Sequence, residues 1–153
     1  LQSYAADLLR GADGAWQVVA DRTACPAGLA RALENRDLLA RLVPEFFRAR
    51  ALRPLRPFLD LWQDALARLA PAGSGVALLS PGPRGPDWFE QVLLARHLAC
   101  ALVEGGDLTV RDGALYLKTL RGLSRIGVLV RRQDGRTVDP LELDPDPVGG
   151  VVG

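Results

Sequence analysis

Several residue types are scarce in this 153-residue sequence: it has no methionine, one histidine (His97), one lysine (Lys118) and two cysteines (Cys25 and Cys100). One histidine excludes a metal site built on two histidines. Two cysteines exclude a disulfide framework, so we expect reduced thiols and a cytoplasmic protein. A chain without an initiating methionine is expected to be an internal piece of a longer polypeptide. The rest of that polypeptide is therefore an expected partner of this chain.

Excess charge and long apolar runs are also missing. Basic and acidic residues number 19 and 18, so the net charge is +1. This balance argues against a dedicated nucleic-acid-binding protein, which normally carries a basic excess. No apolar run approaches the ~20 residues that a membrane-spanning helix needs, so we expect no membrane partner. Apolar residues make up 48% of the chain, which is typical of a globular protein with a real core.

Three Asp-Gly pairs predict turns, because glycine adopts positive φ at little cost. They are Asp13-Gly14, Asp112-Gly113 and Asp134-Gly135. The segments predicted to be extended on either side of the first two turns are 4–10 with 15–21, and 108–110 with 115–117. The third turn follows the apolar run 126–130. The sequence therefore predicts two β-hairpins and further β-structure near residue 130.

Helical spacing dominates the middle of the chain. Apolar residues recur at intervals of three and four over residues 39–47 and again over 58–69, and the Arg-Pro-rich stretch 53–57 separates the two patterns. Both patterns predict amphipathic helices. The aromatic residues on these stripes are expected to lie in the core.

The composition changes at residues 71–75, a stretch of small and turn-forming residues that is the clearest candidate linker. We therefore predict two parts, residues 1–72 and 73–153. After the linker, 76–79 reads as a buried strand, a helix is predicted from Pro86 to about Cys100, and 101–103 reads as a second strand. This strand-helix-strand order is typical of a parallel sheet, and the crossover between the two strands should be right-handed. The predicted fold class is α/β, with a small, mostly parallel sheet, β-hairpins and flanking helices.

The loop that starts at Ser80 joins the end of the first predicted strand to the start of the helix. Ligands in open α/β sheets collect at such strand ends, and a helix N-terminus favours anions. Ser80 and Gly82 are therefore candidates for binding a cofactor phosphate. The loop lacks the Gly-Lys-Ser/Thr ending of a P-loop, and a plain connector explains it at least as well.

Two further polar groups are candidates for binding. Glu34 and Asn35 carry the oxygen ligands that Mg²⁺ takes, and Arg36 suits phosphate. A solvated helix face is the alternative for these three residues. Arg131 and Arg132 end a predicted strand and could clamp an anionic substrate, or could belong to an ordinary surface group of ion pairs.

The order of short motifs along nearly the whole chain resembles a known family. Residues 16–28 and 33–36 resemble the pattern W-x-V-x-A/E-D-R/N-x-x-x-P-S-G…L-E-N-R, and 80–83 with 88–90 resemble T-P-G-P…Y-F-E. Residues 102–112 resemble L-V-E-G-x-D-L-x-V-x-D, and 131–143 resemble R-R-x-D…D-P-L-E. The family is the bacterial circularly permuted ATP-grasp group, similar to glutathionylspermidine synthetase.

This resemblance implies ATP-dependent ligation of a carboxylate to an amine, from small-molecule or peptide substrates, with ATP and Mg²⁺ used by the full-length protein and neither expected on this piece alone. On the matching positions, Asp21, Glu34 and Asn35 would hold Mg²⁺. Arg36, Ser80 and Gly82 would bind the cofactor. Arg131 and Arg132 would be the catalytic arginines.

Several positions depart from the family pattern. Where many members have Glu-Asp-Asn, this chain has Ala20, Asp21 and Arg22, and the usual histidine after Phe-Glu is Gln91. These changes remove oxygen and imidazole groups that chemistry could use. The alternative is therefore a non-catalytic binding or interaction module derived from the same fold.

Overall fold

The computed structural model describes residues 3–50, 52–133, 135, 138 and 151. Within them the chain forms seven strands, four α-helices and one short 3-10 helix. The strands are β1 (Ala5–Arg10), β2 (Trp16–Arg22), β3 (Gly75–Leu79), β4 (Ala101–Val103), β5 (Leu108–Arg111), β6 (Ala114–Thr119) and β7 (Gly122–Arg131). The helices are α1 (Leu29–Leu42), α2 (Pro44–Ala49), α3 (Arg56–Leu69) and α4 (Trp88–His97), with the 3-10 helix at Gly105–Asp107.

Both predicted hairpins are confirmed. Strands β1 and β2 pair antiparallel with a register irregularity after Asp7, and β5 pairs antiparallel with β6. At the tip of the second hairpin, Asp112 and Gly113 both have positive φ, 50° and 69°, which is the geometry that a two-residue hairpin turn requires. The third predicted turn contains Asp134, which lies outside the described residues.

The main sheet has five strands in the order β4-β3-β7-β6-β5. Strand β3 runs parallel to both β4 and β7, whereas β6 runs antiparallel to both β7 and β5. Helix α4 connects β3 to β4, as the predicted parallel unit requires. The α/β class is confirmed, and the sheet is a mixed one because the C-terminal strands return as hairpins.

The single helix predicted over residues 39–47 is wrong. Helix α1 ends at Leu42 and α2 begins at Pro44, because proline lacks the N–H that a continuing helix would use and its ring clashes with the preceding turn. The aromatic residues are also less buried than expected. Trp62 is in the core at 6% exposure, but Phe46 and Phe58 are 50% and 46% exposed.

The sheet has a hydrophobic cluster on each face. Neighbouring residues of β3 alternate between them, with Leu78 in the cluster beside the helices and Ala77 and Leu79 in the other, because successive side chains of a strand point to opposite faces. The helix-side cluster also holds Leu33 and Leu66, which come from the first predicted part of the chain. The division at residue 72 stays a prediction, since one core includes residues from both sides of it.

Among the described helices, none combines the length and apolar character needed to cross a membrane.

Candidate functional site

The carboxyl ends of three neighbouring strands meet at one edge of the main sheet. Ser80 follows β3, Glu104 follows β4 and Arg132 follows β7. Backbone hydrogen bonds tie the ends together: the Ser80 N–H donates to the Val103 carbonyl at 2.9 Å, and the Arg132 N–H donates to the Leu79 carbonyl at 3.1 Å. Ligands of open α/β sheets bind at this edge, so the predicted residues Ser80 and Arg132 come together where a site is expected.

A buried network joins Ser80, Gln91 and Arg132. The Ser80 hydroxyl donates to Gln91 Oε1, and the Gly82 N–H donates to Ser80 Oγ at 3.0 Å. Gln91 Nε2 then donates to the Arg132 carbonyl at 2.8 Å. An amide can accept at one atom and donate at the other, so Gln91 locks the loop after β3 against the end of β7.

Gly82 permits a close approach that a side chain would prevent. Its φ is +90°, and a Cβ built there would lie 2.7 Å from the Glu104 carboxylate. A carboxylate this close lowers the attraction of the loop for an anion. The Ser80 hydroxyl is engaged within the loop, and the cofactor role of Ser80 and Gly82 stays a prediction.

Sequence reasoning missed the function of Glu90. This side chain is fully buried, and its carboxylate accepts the N–H of Gly28 at 2.8 Å and those of Ala30 and Arg31 at 3.3 Å. Helix α1 has no N-cap side chain of its own, because Gly28 occupies that position. Glu90 therefore supplies the cap and the negative charge that a helix N-terminus favours. The available signal was a carboxylate among the apolar residues of the helix predicted from Pro86 to about Cys100.

Asp21 is held within the first hairpin. The Tyr4 hydroxyl donates to Asp21 Oδ1 at 2.6 Å, and this hydrogen bond raises the pKa of the Tyr4 phenol. Beside it, Arg22 donates from Nε and Nη2 to Asp7 Oδ2 at 3.1 and 2.6 Å. That hydrogen bond is the main cause that raises the pKa of the Arg22 guanidinium.

The candidates Glu34, Asn35 and Arg36 follow one another on α1 and make different contacts from Asp21. Arg36 and Asn35 border a shallow cavity of about 320 Å³ beside α2, and the Arg36 guanidinium lies 6.0 Å from the Phe47 ring centroid. Hydrogen bonds and ion pairs do not join Asp21 to Glu34 or Asn35 in the described structure. Nor do three or more His, Cys, Asp or Glu side chains gather into a possible metal site within the described ranges. The predicted Mg²⁺ ligands stay a prediction.

The two candidate arginines differ in their surroundings. Arg131 is exposed, whereas Arg132 is 6% exposed and its Nε–H has no acceptor among the described residues. Arg132 borders a cavity of about 100 Å³. Trp62 borders the same cavity, and its buried indole Nε1–H also lacks an acceptor among the described residues. Other side chains that line this cavity include Leu29, Phe58, Glu90 and Leu94.

Comparison with known proteins decides the family. The family model of circularly permuted ATP-grasp type 2 matches residues 1–153. The chain belongs to this family. The predicted resemblance to the circularly permuted ATP-grasp group is thereby confirmed, whereas the closer similarity to glutathionylspermidine synthetase stays a prediction. ATP-grasp proteins generally use ATP and Mg²⁺.

Relatives with full sequences are much longer than this ATP-grasp chain. Uncharacterized protein Rv2567 of Mycobacterium tuberculosis is 41% identical over 153 residues, which is 98% of this chain and 17% of that relative. Uncharacterized protein sll0335 of Synechocystis is 36% identical over 150 residues, which is 96% of this chain and 31% of that relative. Uncharacterized protein Rv2411c of M. tuberculosis is 35% identical over 150 residues, which is 96% of this chain and 27% of that relative. The chain thus spans less than a third of each.

Proposed function

We propose that this chain is part of an ATP-dependent ligase that joins a carboxylate to an amine. In the proposed reaction a carboxylate oxygen attacks the γ-phosphorus of ATP and ADP leaves. The resulting acyl phosphate then loses inorganic phosphate when an amine nitrogen attacks the acyl carbon and releases a proton. The partners are a small-molecule or peptide carboxylate and an amine, together with the rest of the same polypeptide.

One observation carries the proposed role of this chain, namely the buried Arg132 side chain, whose Nε–H has no acceptor among the described residues. A buried charge is costly unless it is paired and hydrogen-bonded. A guanidinium offers planar donors that match a carboxylate in two parallel hydrogen bonds. We therefore assign Arg132 to binding the carboxylate substrate and retain Arg131, at the same strand end, as a proposed second contact to an anionic group.

ATP and Mg²⁺ are proposed for the full-length protein. Asp21, Glu34 and Asn35 carry suitable oxygen ligands, and one Asp21 oxygen accepts the Tyr4 hydroxyl. No three His, Cys, Asp or Glu side chains gather into a metal site among the described residues. Arg36, Ser80 and Gly82 remain proposed cofactor contacts. The steps assigned to this chain's own residues do not pass through a metal. The two unpaired cysteines support the proposed cytoplasmic location.

The test measures ADP release by the full-length protein with ATP, Mg²⁺ and a panel of amino acids and short peptides. We expect release that requires both a carboxylate and an amine. Arg132→Gln should lower turnover more than tenfold, since a charged hydrogen bond contributes ~1.5–3 kcal/mol. Arg125→Gln, an exposed change on the same strand, is the matched control. Equal turnover in Arg132→Gln and Arg125→Gln would remove Arg132 from the reaction.

A non-catalytic binding module is the second candidate, and the first hairpin favours it. Where many family members have an acidic and an amide residue, this chain has Ala20 and Arg22, and Arg22 is used to pair with Asp7 at 2.6 Å. Under this alternative the full-length protein binds an anionic ligand at Arg132 and releases no ADP with any pair in the panel.

A further inference from the structure

A shallow groove lies between helix α1, helix α2 and the segment that precedes α3, and we call it the α1–α2 groove. Its volume is about 320 Å³, and the large apolar side chains that line it are Leu39, Phe46, Phe47, Leu52 and Leu55. Leu39, Phe46 and Leu52 are exposed. An apolar surface with a polar border is typical of an interaction site.

The apolar surface continues beyond the groove along α1. Leu42 and Val43 follow Leu39 at a spacing of three and four, which places the three side chains on one side of the helix. Leu42 and Val43 are also exposed, whereas Leu33, on a different side of α1, is buried in the core. The core therefore leaves an apolar side of α1 uncovered. An amphipathic helix with apolar residues at intervals of three and four fits such a surface.

The border of the groove is strongly basic. Residues 36–56 contain six arginines but only two acidic residues, which gives this stretch a net charge of +4 in a chain of +1. Among the described residues, the one ion pair of these arginines joins Arg56 to Asp60. Arg36 and Arg50 lie over aromatic rings instead, at 6.0 and 5.2 Å from the ring centroids. The unbalanced charge favours a partner with acidic side chains.

Two other occupants fit this surface less well. Face-to-face contact with a second copy would bring two stretches of +4 together, and like charges repel. A nucleic acid would pair its phosphates with the arginines but would leave the exposed leucines of α1 in water. The combination of an apolar stripe and a basic border therefore favours a helix that is both apolar and acidic.

We propose that the α1–α2 groove binds an acidic amphipathic helix from the same polypeptide, outside these 153 residues. This chain spans less than a third of each relative described above, so those relatives carry further sequence that can supply such a helix. A tethered segment has a high effective concentration, so a modest contact area suffices. The docked helix buries Leu42 and Phe46 and places its carboxylates beside the arginines. This docking does not depend on the proposed ligase activity.

The test is photo-cross-linking within the full-length protein. p-Benzoylphenylalanine is placed at the exposed position 42, and mass spectrometry identifies the peptide that irradiation joins to it. We expect an intramolecular cross-link to one segment with net negative charge and apolar residues at intervals of three and four. The control places the same group at position 120, since Leu120 is fully exposed at the β6–β7 turn, and should not label that segment. Four results would overturn the proposal: a cross-link between two copies, one to nucleic acid, one to a segment without an acidic excess, or none above the control.

Charge-reversed variants test the acidic character of the partner. Arg50→Glu combined with Arg53→Glu changes two exposed residues on either side of the groove-lining segment. Both lie outside the helices, so the fold should be retained, and circular dichroism checks this. Repulsion then replaces attraction, and the cross-link yield from position 42 should fall about threefold or more. Arg111→Glu combined with Arg121→Glu, also exposed, is the matched control. Equal yields in the two double variants would refute an acidic partner.

Discussion

The Glu90 carboxylate accepts the backbone N–H of Gly28 at 2.8 Å, although the two residues are 62 positions apart. The bond joins the first turn of α4 to the start of α1. A helix is commonly capped by a side chain at its own N-cap position, whereas α1 receives its cap from another helix. This carboxylate positions α1 against α4 together with the Arg31–Asp87 ion pair at 3.0 Å and the apolar packing between the two helices.

Glu90→Gln should destabilise the protein by about 1–3 kcal/mol, because a neutral amide replaces a buried charged acceptor and brings an unpaired donor. Urea unfolding followed by circular dichroism measures the change. The exposed control Glu45→Gln should stay within about 0.5 kcal/mol of wild type. A Glu90→Gln protein as stable as the control would show that the cap contributes little.

Gly127 lies where β7 passes beneath the turn before β3. A Cβ at this position would lie 2.5 Å from Pro71 Cδ and closer still to Ser74 Oγ. We expect Gly127→Ala to lower the free energy of unfolding by about 1–3 kcal/mol through overpacking. Gly106→Ala is the control, since a Cβ there meets no atom within 4 Å. Thermal unfolding of both variants would test the prediction, and equal melting temperatures would contradict it.

Cys100 should react slowly with alkylating reagents. Desolvation by burial raises the pKa of its thiol to about 11, and the thiolate is the reactive form. In a Cys25→Ser background at pH 9, we expect iodoacetamide to modify folded Cys100 roughly tenfold or more slowly than the urea-unfolded chain. Mass spectrometry over time measures both rates, and equal rates would contradict a protected thiol.

The same raised pKa also predicts a direction for stability. Above pH 9 the unfolded thiol loses its proton while the folded thiol keeps it, so the unfolded state binds fewer protons and stability falls as the pH rises towards 11. Cys100→Ala should lose this part of the alkaline decline. Urea midpoints measured at pH 8 and pH 10 for wild type and Cys100→Ala provide the comparison; an identical decline in both would assign it to other groups.

A polypeptide of these 153 residues alone should neither hydrolyse ATP nor bind it with micromolar affinity. Its only lysine, Lys118, is exposed on β6, and the chain has no P-loop sequence to surround phosphates. Calorimetric titration with ATP and Mg²⁺ provides the measurement, with the full-length protein as the positive control. Micromolar affinity in the shorter polypeptide would show that the nucleotide site is complete within it.

Local signals predicted much of the fold. Asp13-Gly14 and Asp112-Gly113 specify hairpins through backbone conformations that glycine favours. The buried strand, helix and strand after residue 75 have distinct apolar patterns, and all three elements are confirmed. The apolar spacing across Pro44 predicted one helix over residues 39–47, but the proline separates α1 from α2.

The candidate site was less predictable because its interactions are long-range. Nothing local to α1 indicates that Glu90 caps it, and the pattern around Arg132 does not reveal that this arginine is buried while Arg131 is exposed. Both facts depend on how α4 and β7 pack against the rest. Sequence reasoning named Arg132 as a candidate, and the structure adds its burial and the cavity that it borders.

The position of β7 has a consequence during synthesis. Among the described strands of the sheet, β7 is made last, yet it lies between β3 and β6. As the chain leaves the ribosome, one edge of β3 stays unpaired until β7, which ends at Arg131, has emerged. Non-local pairing of this kind is slow and exposes open strand edges to aggregation. A translational pause or premature stop shortly before residue 122 would therefore leave an aggregation-prone nascent chain. A ribosome-associated chaperone would matter most before β7 has been made.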